Sequence, residues 1–332
     1  MARNISKKNS YHQDNFWTSD VRWLKMKTIT LVVIVAVLVV ANVTTATLWQ
    51  KAERLTSDVN QSDKYSLLNP ARNLIEQKDL IINFQPLRDY LSDKYETDPN
   101  VSIYFEYLPT GANIAVNKDA EFYPASLLKV PIAMAVVKKI EDREWKWTNE
   151  LVLLPADKDK EFGTLYKESS NSTWTIEELI RRSMSDSDNT AHFILLRNLE
   201  QGEIEDVYDH IGLKGFLDAD GNISAKRYSV ILRALYNASY INEENSEKLL
   251  LYLSQSQFGE YIESGIPDDL IFPHKIGINY NERVFTDAGI IYAQNRPYLL
   301  IVMTKNKEMQ EAKDLMKDIS KSVYEYVTSY DG

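Results

Sequence analysis

The longest uncharged run in the chain lies near its N-terminus. Residues 28–50 contain no charged side chain, and the core of this run reads TITLVVIVAVLVVANV. About 20 helical residues, each rising ~1.5 Å, cross a bilayer core of roughly 30 Å. Trp23 and Trp49 flank the run, where aromatic side chains favour the membrane interface. The pattern predicts a transmembrane helix over residues 28–49. A cleaved signal peptide and a buried helix of a soluble domain are the alternatives.

A polar segment and then a mixed α and β pattern follow this run. Residues 50–85 are polar and are predicted to form a stalk or linker. A helix is predicted to begin at Pro86, with Leu87, Tyr90 and Leu91 on one face.

Segments rich in β-branched and aromatic residues occur near both ends of the remaining chain. Strands are predicted over residues 101–107, 113–116, 285–292 and 298–303. Helices are predicted around Ser126, from Thr175 with Glu178 completing a capping box, and over residues 189–199, 225–238, 244–255 and 307–330. This order indicates an α/β (α+β) fold, in which an antiparallel sheet from both chain ends is flanked by helices and by an all-helical block.

Charge is distributed unevenly along the 332 residues. Residues 1–27 carry six basic and two acidic side chains, whereas the remainder carries 32 basic and 46 acidic ones. An acidic body argues against binding of a nucleic-acid backbone. Basic residues flank the cytoplasmic side of membrane helices. We therefore expect a cytoplasmic tail over residues 1–27, and an extracytoplasmic domain over residues 86–330 after the stalk.

Several kinds of site are excluded by composition. The chain has no cysteine, which removes thiol nucleophiles, disulfides and cysteine-based zinc sites. The four histidines, His12, His192, His210 and His274, include no close pair that suits a metal. No G-x-S-x-G elbow or glycine-rich phosphate loop occurs. We predict no metal and no cofactor. Nothing in the sequence specifies an oligomeric state.

The first candidate for chemistry is Ser126 followed by Lys129, in the stretch YPASLLKV. Residues three apart share one face of a helix, so both side chains point into one cleft if a helix begins here. Burial and the positive helix N-terminus favour a neutral lysine, which can accept the serine proton. In the alternative interpretation Ser126 only caps the helix and Lys129 is solvated.

Two further motifs lie downstream. Ser187-Asp188-Asn189 precedes a predicted helix, and the alternative is a polar turn whose Asp188 or Asn189 caps that helix. Lys275-Ile276-Gly277 lies just before the strand around Phe285, and the alternative is an edge strand with an exposed lysine and a glycine bulge.

In this order the three motifs resemble the S-x-x-K, S-D-N and K-T-G set of class A β-lactamases and penicillin-binding D,D-peptidases. The resemblance covers about residues 86–330. The flanking residues agree with it: Pro124-Ala125, Thr190-Ala191 and Asp287-Ala288-Gly289-Ile290. It implies the β-lactamase/transpeptidase-like fold of these serine hydrolases.

The resemblance also implies a role for each matching residue. Ser126 would attack a carbonyl carbon and become acylated, with Lys129 as its base. Ser187 would relay a proton to the leaving nitrogen. Asn189 would hold the substrate's side-chain amide and help to orient Lys129. Asp188 would be structural, organising its loop through hydrogen bonds.

For the third motif, the resemblance places Lys275 at the cleft edge, where it would attract the substrate carboxylate. The strand residues Ile276, Gly277 and Ile278 would contact substrate, and the N–H groups of Ser126 and Ile278 would form an oxyanion hole. Losing one such donor typically costs ~100–1000-fold in rate.

Two departures from the family pattern stand out. Ile276 replaces a hydroxyl residue, which puts recognition of a free carboxylate in doubt. Class A β-lactamases carry a deacylating glutamate in an E-x-x-L-N pattern, and no such pattern occurs in the corresponding residues 212–224. Asp218 or Asp220 is a possible substitute, and an ordinary turn is the alternative.

The sequence therefore predicts a single-pass protein of a bacterial cell membrane with an extracytoplasmic serine hydrolase domain. It would act through an acyl-enzyme on Ser126, on β-lactams or D-Ala-D-Ala-type wall peptides, with slow deacylation. Two alternatives remain open. One is a non-catalytic module that binds a wall peptide or a partner. The other is an esterase or amidase on the same fold, whose uncharged substrate Ile276 would suit.

Overall fold

The computed structural model describes residues 65–68 and 82–330. The predicted cytoplasmic tail over residues 1–27 and the predicted transmembrane helix over residues 28–49 lie outside these residues. Every helix in the described part of the chain is too short or too polar to cross a lipid bilayer.

A five-stranded antiparallel sheet forms the centre of the domain. Its strands are β1 (Val101–Tyr107), β2 (Ala112–Val116), β5 (His274–Asn279), β6 (Val284–Ile291) and β7 (Tyr298–Thr304), in the order β2-β1-β7-β6-β5. β1, β6 and β7 are buried along their whole length, as expected of strands covered on both faces. The prediction of an antiparallel sheet built from both chain ends is confirmed, and β5 is one of its edges.

Two helices from the chain ends cover one face of this sheet. They are α1 (Gln85–Tyr95) and α8 (Met309–Ser329). Proline in the first turn of α1 suits a helix start, because that N–H has no partner within a helix. Side chains of both helices pack with those of the strands into an outer cluster that includes Leu91, Phe105, Ile276, Leu300 and Met316.

The opposite face is covered by the block of helices between β2 and β5. These are α2 (Lys129–Glu141), α3 (Ile176–Ser185), α4 (Asn189–Arg197), α5 (Gln201–His210), α6 (Ala225–Tyr236) and α7 (Glu243–Leu253). Residues 129–137 of α2 are all buried, so this helix is the centre of an inner cluster that also contains Ala288 and Ile290 of β6. The predicted all-helical block is therefore present.

Some elements differ from the predictions. α5 was not predicted, and its single buried residue, Val207, explains why its apolar stripe is weak. The short strands β3 (Glu150–Val152) and β4 (Thr173–Thr175) pair in the polar region before α3. Thr175 caps α3 by accepting a hydrogen bond from Glu178 N at 3.3 Å. The Glu178 side chain pairs with two arginines of α3, however, so only half of the predicted capping box forms.

Part of the predicted linker over residues 50–85 belongs to the folded domain. Residues 65–68, here called the strap, include Leu67, which is 1% exposed and packs in the inner cluster. Leu67 N donates to Glu247 Oε2 at 2.8 Å, and Ser66 Oγ donates to Glu247 Oε1 at 3.2 Å. The Tyr292 hydroxyl also donates to the Leu67 carbonyl. The folded domain therefore begins before residue 86, contrary to the predicted boundary.

Candidate active site

Ser126 lies on a single turn of 3-10 helix that runs directly into α2. This nucleophile turn spans Ala125–Leu128, and α2 begins at Lys129. A 3-10 helix has about three residues per turn, so positions i and i+3 lie above one another, as predicted for Ser126 and Lys129. Neither the turn nor α2 has a side-chain cap. Ser126 is therefore not a simple helix cap. Ala125 adopts a φ of 48°, in the left-handed region that non-glycine residues rarely occupy.

Lys129 connects the first motif with the second. Its Nζ donates to the Ser187 carbonyl at 2.5 Å and to Asn189 Oδ1 at 2.6 Å, and lies 3.2 Å from Ser187 Oγ. The Lys129 side chain is 2% exposed, which contradicts the alternative of a solvated lysine. Among the described residues, these hydrogen bonds go to the second motif and none goes to Ser126.

Burial controls the protonation of Lys129. Loss of solvation lowers the pKa of Lys129 from 10.5 to about 7, although Asp188, Asp159 and Glu161 act in the opposite direction. At neutral pH a large fraction of this amine is therefore uncharged. An uncharged amine has a lone pair and can act as a base.

Asp188 organises the loop that presents Ser187 and Asn189. Its Oδ1 accepts from Ala191 N at 2.9 Å and caps α4, while Oδ2 accepts from Thr164 N and Leu165 N at 2.7 and 2.8 Å. A Cβ at Gly163 would lie 2.1 Å from Oδ2, so only glycine fits there. Asp188 thus caps the helix and also holds the loop of residues 163–165 against the second motif.

Ser187 itself has a strained backbone. Its φ is 54°, its side chain is buried, and its carbonyl is held by Lys129. Non-glycine residues in this conformation persist where surrounding contacts enforce them, and they concentrate at functional sites. The geometry is consistent with the predicted relay position, since Ser187 Oγ and the Lys129 amine are adjacent.

The third motif lies on the edge strand β5. Lys275 is 1% exposed, so the predicted edge strand is present but its lysine is buried. Burial, and then repulsion from Lys129, holds the pKa of Lys275 well below its ordinary value, while Asp287 and Asp186 oppose this shift. Its Nζ lies 6.0 Å from the centroid of the Phe258 ring. Lys129 and Lys275 are therefore both buried and near enough to interact electrostatically.

Gly277 allows β5 to pack against the nucleophile turn. A Cβ at this position would lie 2.5 Å from the Pro124 carbonyl oxygen and 2.5 Å from Thr286 Oγ1. The pairing of β5 with β6 is continuous through Gly277, so the alternative of a glycine bulge is wrong. This glycine is needed for a close approach between two backbones.

The backbone of β5 places one N–H at the open edge. Ile290 N donates to the Pro273 carbonyl at 3.0 Å, and hydrogen-bonded pairs recur at every second residue of an antiparallel ladder. By the register, Gly277 and Thr286 then form a hydrogen-bonded pair, whereas Ile278 and Phe285 do not. The Ile278 N–H therefore points away from β6, as an oxyanion donor requires.

Ile276 is not brought to the cleft. Successive side chains of a strand point to opposite faces, and the Ile276 side chain packs in the outer cluster with 2% exposure. Lys275 points to the opposite face, toward the helical block. The side chain of Ile276 therefore belongs to the core. A side chain at this position points away from the strand face that carries Lys275.

The two aspartates predicted as possible substitutes for the missing glutamate, Asp218 and Asp220, make no hydrogen bond to the three motifs among the described residues. Asp218 Oδ1 accepts from Asp220 N and Asn222 N at 2.9 and 2.7 Å, within its own turn. Another carboxylate, which the sequence reasoning missed, does reach the motifs. Asp159 Oδ1 accepts from Asn189 Nδ2 at 2.9 Å. Within the described residues, no three His, Asp or Glu side chains form a group suited to a metal ion.

Fold and site together define a serine hydrolase of β-lactamase type. The family model of the beta-lactamase enzyme family matches residues 85–327, and the chain belongs to this family. The resemblance carried by the three motifs is therefore confirmed.

Known proteins agree with this assignment. Beta-lactamase VEB-1 of Pseudomonas aeruginosa is 24% identical over 246 residues, which cover 64% of this chain and 80% of that protein. PBP-A superposes with a TM-score of 0.67 at 22% identity, over 74% of this chain and 97% of its own. A beta-lactamase from Sphaerobacter thermophilus gives a TM-score of 0.66 at 22% identity, over 76% and 100%. A mutant of PBP-A was also solved as an acyl-enzyme complex with penicillin G.

Proposed function

We propose that this protein is a membrane-anchored, outward-facing serine hydrolase that forms an acyl-enzyme on Ser126. Its substrates are β-lactams or D-Ala-D-Ala-type wall peptides. The observation that carries the proposal is the hydrogen-bonded group formed by Lys129, Ser187 and Asn189 beside the nucleophile turn. The penicillin adduct of a PBP-A mutant supports the choice of β-lactam as the first substrate to test.

The hydrogen bonds of Lys129 suit its role as a base. A neutral amine has two N–H donors and one lone pair, whereas an ammonium has three donors and no lone pair. The two short bonds, to the Ser187 carbonyl and to Asn189 Oδ1, account for both donors of the neutral form. The lone pair then remains to take the proton of Ser126.

Acylation proceeds in two proton transfers. Ser126 Oγ bonds to the substrate carbonyl carbon as its proton passes to Lys129, and the N–H groups of Ser126 and Ile278 stabilise the oxyanion. The C–N bond then breaks as the proton passes from Lys129 through Ser187 Oγ to the leaving nitrogen. Lys275 donates a hydrogen bond to the substrate carboxylate, which its buried amine can do without a positive charge. The cycle ends when water replaces Ser126 on the acyl carbon.

Deacylation is the slow step in this proposal. Residues 212–224 lack the E-x-x-L-N glutamate. Asp218 is already committed to backbone N–H groups of its own turn. We therefore expect the acyl-enzyme to accumulate, as in a penicillin-binding protein.

The test is pulse-chase labelling of the full-length protein with a reporter penicillin, followed by intact-mass and peptide mass spectrometry. We expect one adduct on Ser126 that forms faster than it disappears. Ser126→Ala is the matched control and should give none. A folded wild-type protein that acquires no adduct on Ser126 would refute the proposal. It would favour the non-catalytic binding module, whose biological activity Ser126→Ala would leave unchanged.

The esterase or amidase alternative loses its main support. It depended on Ile276 presenting an apolar side chain to an uncharged substrate, and that side chain lies in the outer cluster. Lys275, by contrast, is retained at the cleft.

The proposed membrane topology rests on the uncharged residues 28–50 and on the basic residues before them. The lack of cysteine makes it simple to test. In intact cells a membrane-impermeant maleimide should label Ser329→Cys, an exposed position at the end of α8, but not Ser6→Cys. Labelling of both or of neither would contradict a single span with a cytoplasmic N-terminus.

A further inference from the structure

We infer that Asp159 is a positioning residue that fixes the orientation of the Asn189 amide and, through it, the place of the Lys129 amine. The inference concerns the site described above and rests on the proposed function. Asp159 lies outside the three motifs, 30 residues before Asn189 in the chain.

The two ends of the Asn189 amide bind different partners. Its Oδ1 accepts from Lys129 Nζ at 2.6 Å, and its Nδ2 donates to Asp159 Oδ1 at 2.9 Å. A carboxylate can only accept, and Lys129 must donate to Asn189 to keep its lone pair for Ser126. Rotating the amide by half a turn would bring oxygen against oxygen. Asp159 thus selects the amide orientation that Lys129 requires.

Asp159 is itself held in place. Its backbone N–H donates to Thr190 Oγ1 at 2.9 Å, and Thr190 Oγ1 donates to the Asp159 carbonyl at 3.2 Å. Thr190 is fully buried and directly follows Asn189. Glu161 N donates to Asp159 Oδ1 at 2.8 Å. The carboxylate is therefore anchored on the same helix start that carries the amide it orients.

The effect of the Asp159 contact on Lys129 can be distinguished from the effect of the Asp159 charge. Asp188, Asp159 and Glu161 all oppose the effect of burial on the pKa of Lys129. Glu161 is exposed and makes no hydrogen bond to Asn189 among the described residues, whereas Asp159 does. The other titratable groups in this field are Lys275 and His192, whose pKa values are lowered by burial and then by Lys129. Glu161 is thus a matched control for the charge of Asp159.

Three variants of the full-length protein test the inference: Asp159→Ala, Asp159→Asn and Glu161→Gln. Asp159→Ala removes contact and charge, Asp159→Asn keeps an acceptor oxygen without charge, and Glu161→Gln removes a nearby charge only. The first readout is the rate of Ser126 acylation by a reporter penicillin between about pH 6 and pH 9, a range that brackets the pKa of Lys129.

We expect the high-pH plateau of the acylation rate to fall at least ~10-fold in Asp159→Ala, because a misplaced catalytic group loses much of its effect. Asp159→Asn and Glu161→Gln should keep most of that plateau. Both should shift the rise of the profile to lower pH, since removing a negative charge lowers the pKa of Lys129. An unchanged plateau in Asp159→Ala, or an equal loss in Glu161→Gln, would overturn the inference.

A second readout does not depend on acylation. The pKa of Lys129 is measured by NMR of protein that carries 13C at lysine Cε, with Lys129→Met to assign the signal. We expect different Lys129 titrations in Asp159→Ala and Asp159→Asn, because only the second keeps the amide oriented. Identical titrations would show that Asp159 affects Lys129 only through its charge and would refute its positioning role. Penicillin that fails to acylate the wild type refutes the proposed function alone.

Discussion

Burial of Lys129 predicts how the free energy of unfolding changes with pH. The fold lowers the pKa of this lysine from 10.5 to about 7, whereas the unfolded chain exposes it to water. Between these two values the unfolded state binds more protons than the folded state, so the stability linked to Lys129 rises with pH. Each unit of pKa difference corresponds to ~1.36 kcal/mol. Burial of Lys129 therefore lowers the free energy of unfolding by about 4 kcal/mol at pH 7 and by about 2 kcal/mol at pH 9.

Replacing Lys129 by methionine removes this pH dependence and keeps a long, unbranched side chain. The Ser187 carbonyl and Asn189 Oδ1 then lose a donor, at a cost of ~1–3 kcal/mol each. That cost is independent of pH and does not alter the slope. Lys275 is present in both proteins, so its own slope largely cancels in the comparison. Between pH 7 and pH 9 the free energy of unfolding of the wild type should therefore rise by about 2 kcal/mol relative to that of Lys129→Met.

The measurement is urea unfolding of both proteins at pH 7, 8 and 9, followed by circular dichroism. Lys226→Met serves as the control, because that side chain is exposed and its removal should give a difference that is constant with pH. A constant difference for Lys129→Met as well would show that Lys129 remains charged in the folded protein at pH 7. A charged lysine has no lone pair, and the reasoning that makes it the base of Ser126 would fail.

Three further predictions follow from contacts described above. Gly277→Ala should slow acylation of Ser126 at least ~10-fold, because the added Cβ would collide with the Pro124 carbonyl oxygen just before the nucleophile turn. Gly202→Ala, where the added Cβ has open space, should leave the acylation rate unchanged in stopped-flow measurements. Asp188→Ala should lower the free energy of unfolding by about 3 kcal/mol or more, because three backbone N–H groups lose a charged acceptor, and a change within ~0.5 kcal/mol in urea unfolding would contradict this. Leu67→Ala should lower the free energy of unfolding by ~2–5 kcal/mol, whereas Leu251→Ala, at a position that is 45% exposed, should lower it far less. Equal urea midpoints for the two variants would show that the strap does not stabilise the fold.

Much of the fold could be predicted because its strands and helices have strong local patterns. β1 is rich in β-branched and aromatic residues, β7 is apolar from Tyr298 to Met303, and α8 has a clear apolar stripe. α5 has one buried residue, and the strap has too few residues to show a period. Elements of this kind depend on tertiary contacts that the local pattern does not record.

The candidate site was predictable to the extent that it consists of closely spaced residues. Ser126 with Lys129, and Ser187 with Asn189, are recognisable because a short spacing places each pair together. Asp159 was missed because its contact with Asn189 joins an irregular segment to a residue far along the chain. The orientation of Ile276 could have been predicted, because adjacent strand residues such as Lys275 and Ile276 point to opposite faces. The expectation for Ile276 rested instead only on the chemistry that the family motif has at this position.

The strap decides where the chain can be cut without damaging the fold. A soluble fragment that begins upstream of residue 65 retains the whole inner cluster and both donors to Glu247. A fragment that begins at residue 82, near the first helix, loses Leu67 from the core and leaves a largely buried carboxylate without those donors. A single nick between residues 68 and 82 would leave the strap held by its non-covalent contacts alone. A fragment designed for expression should therefore take residue 65, and not the first helix, as the start of the domain.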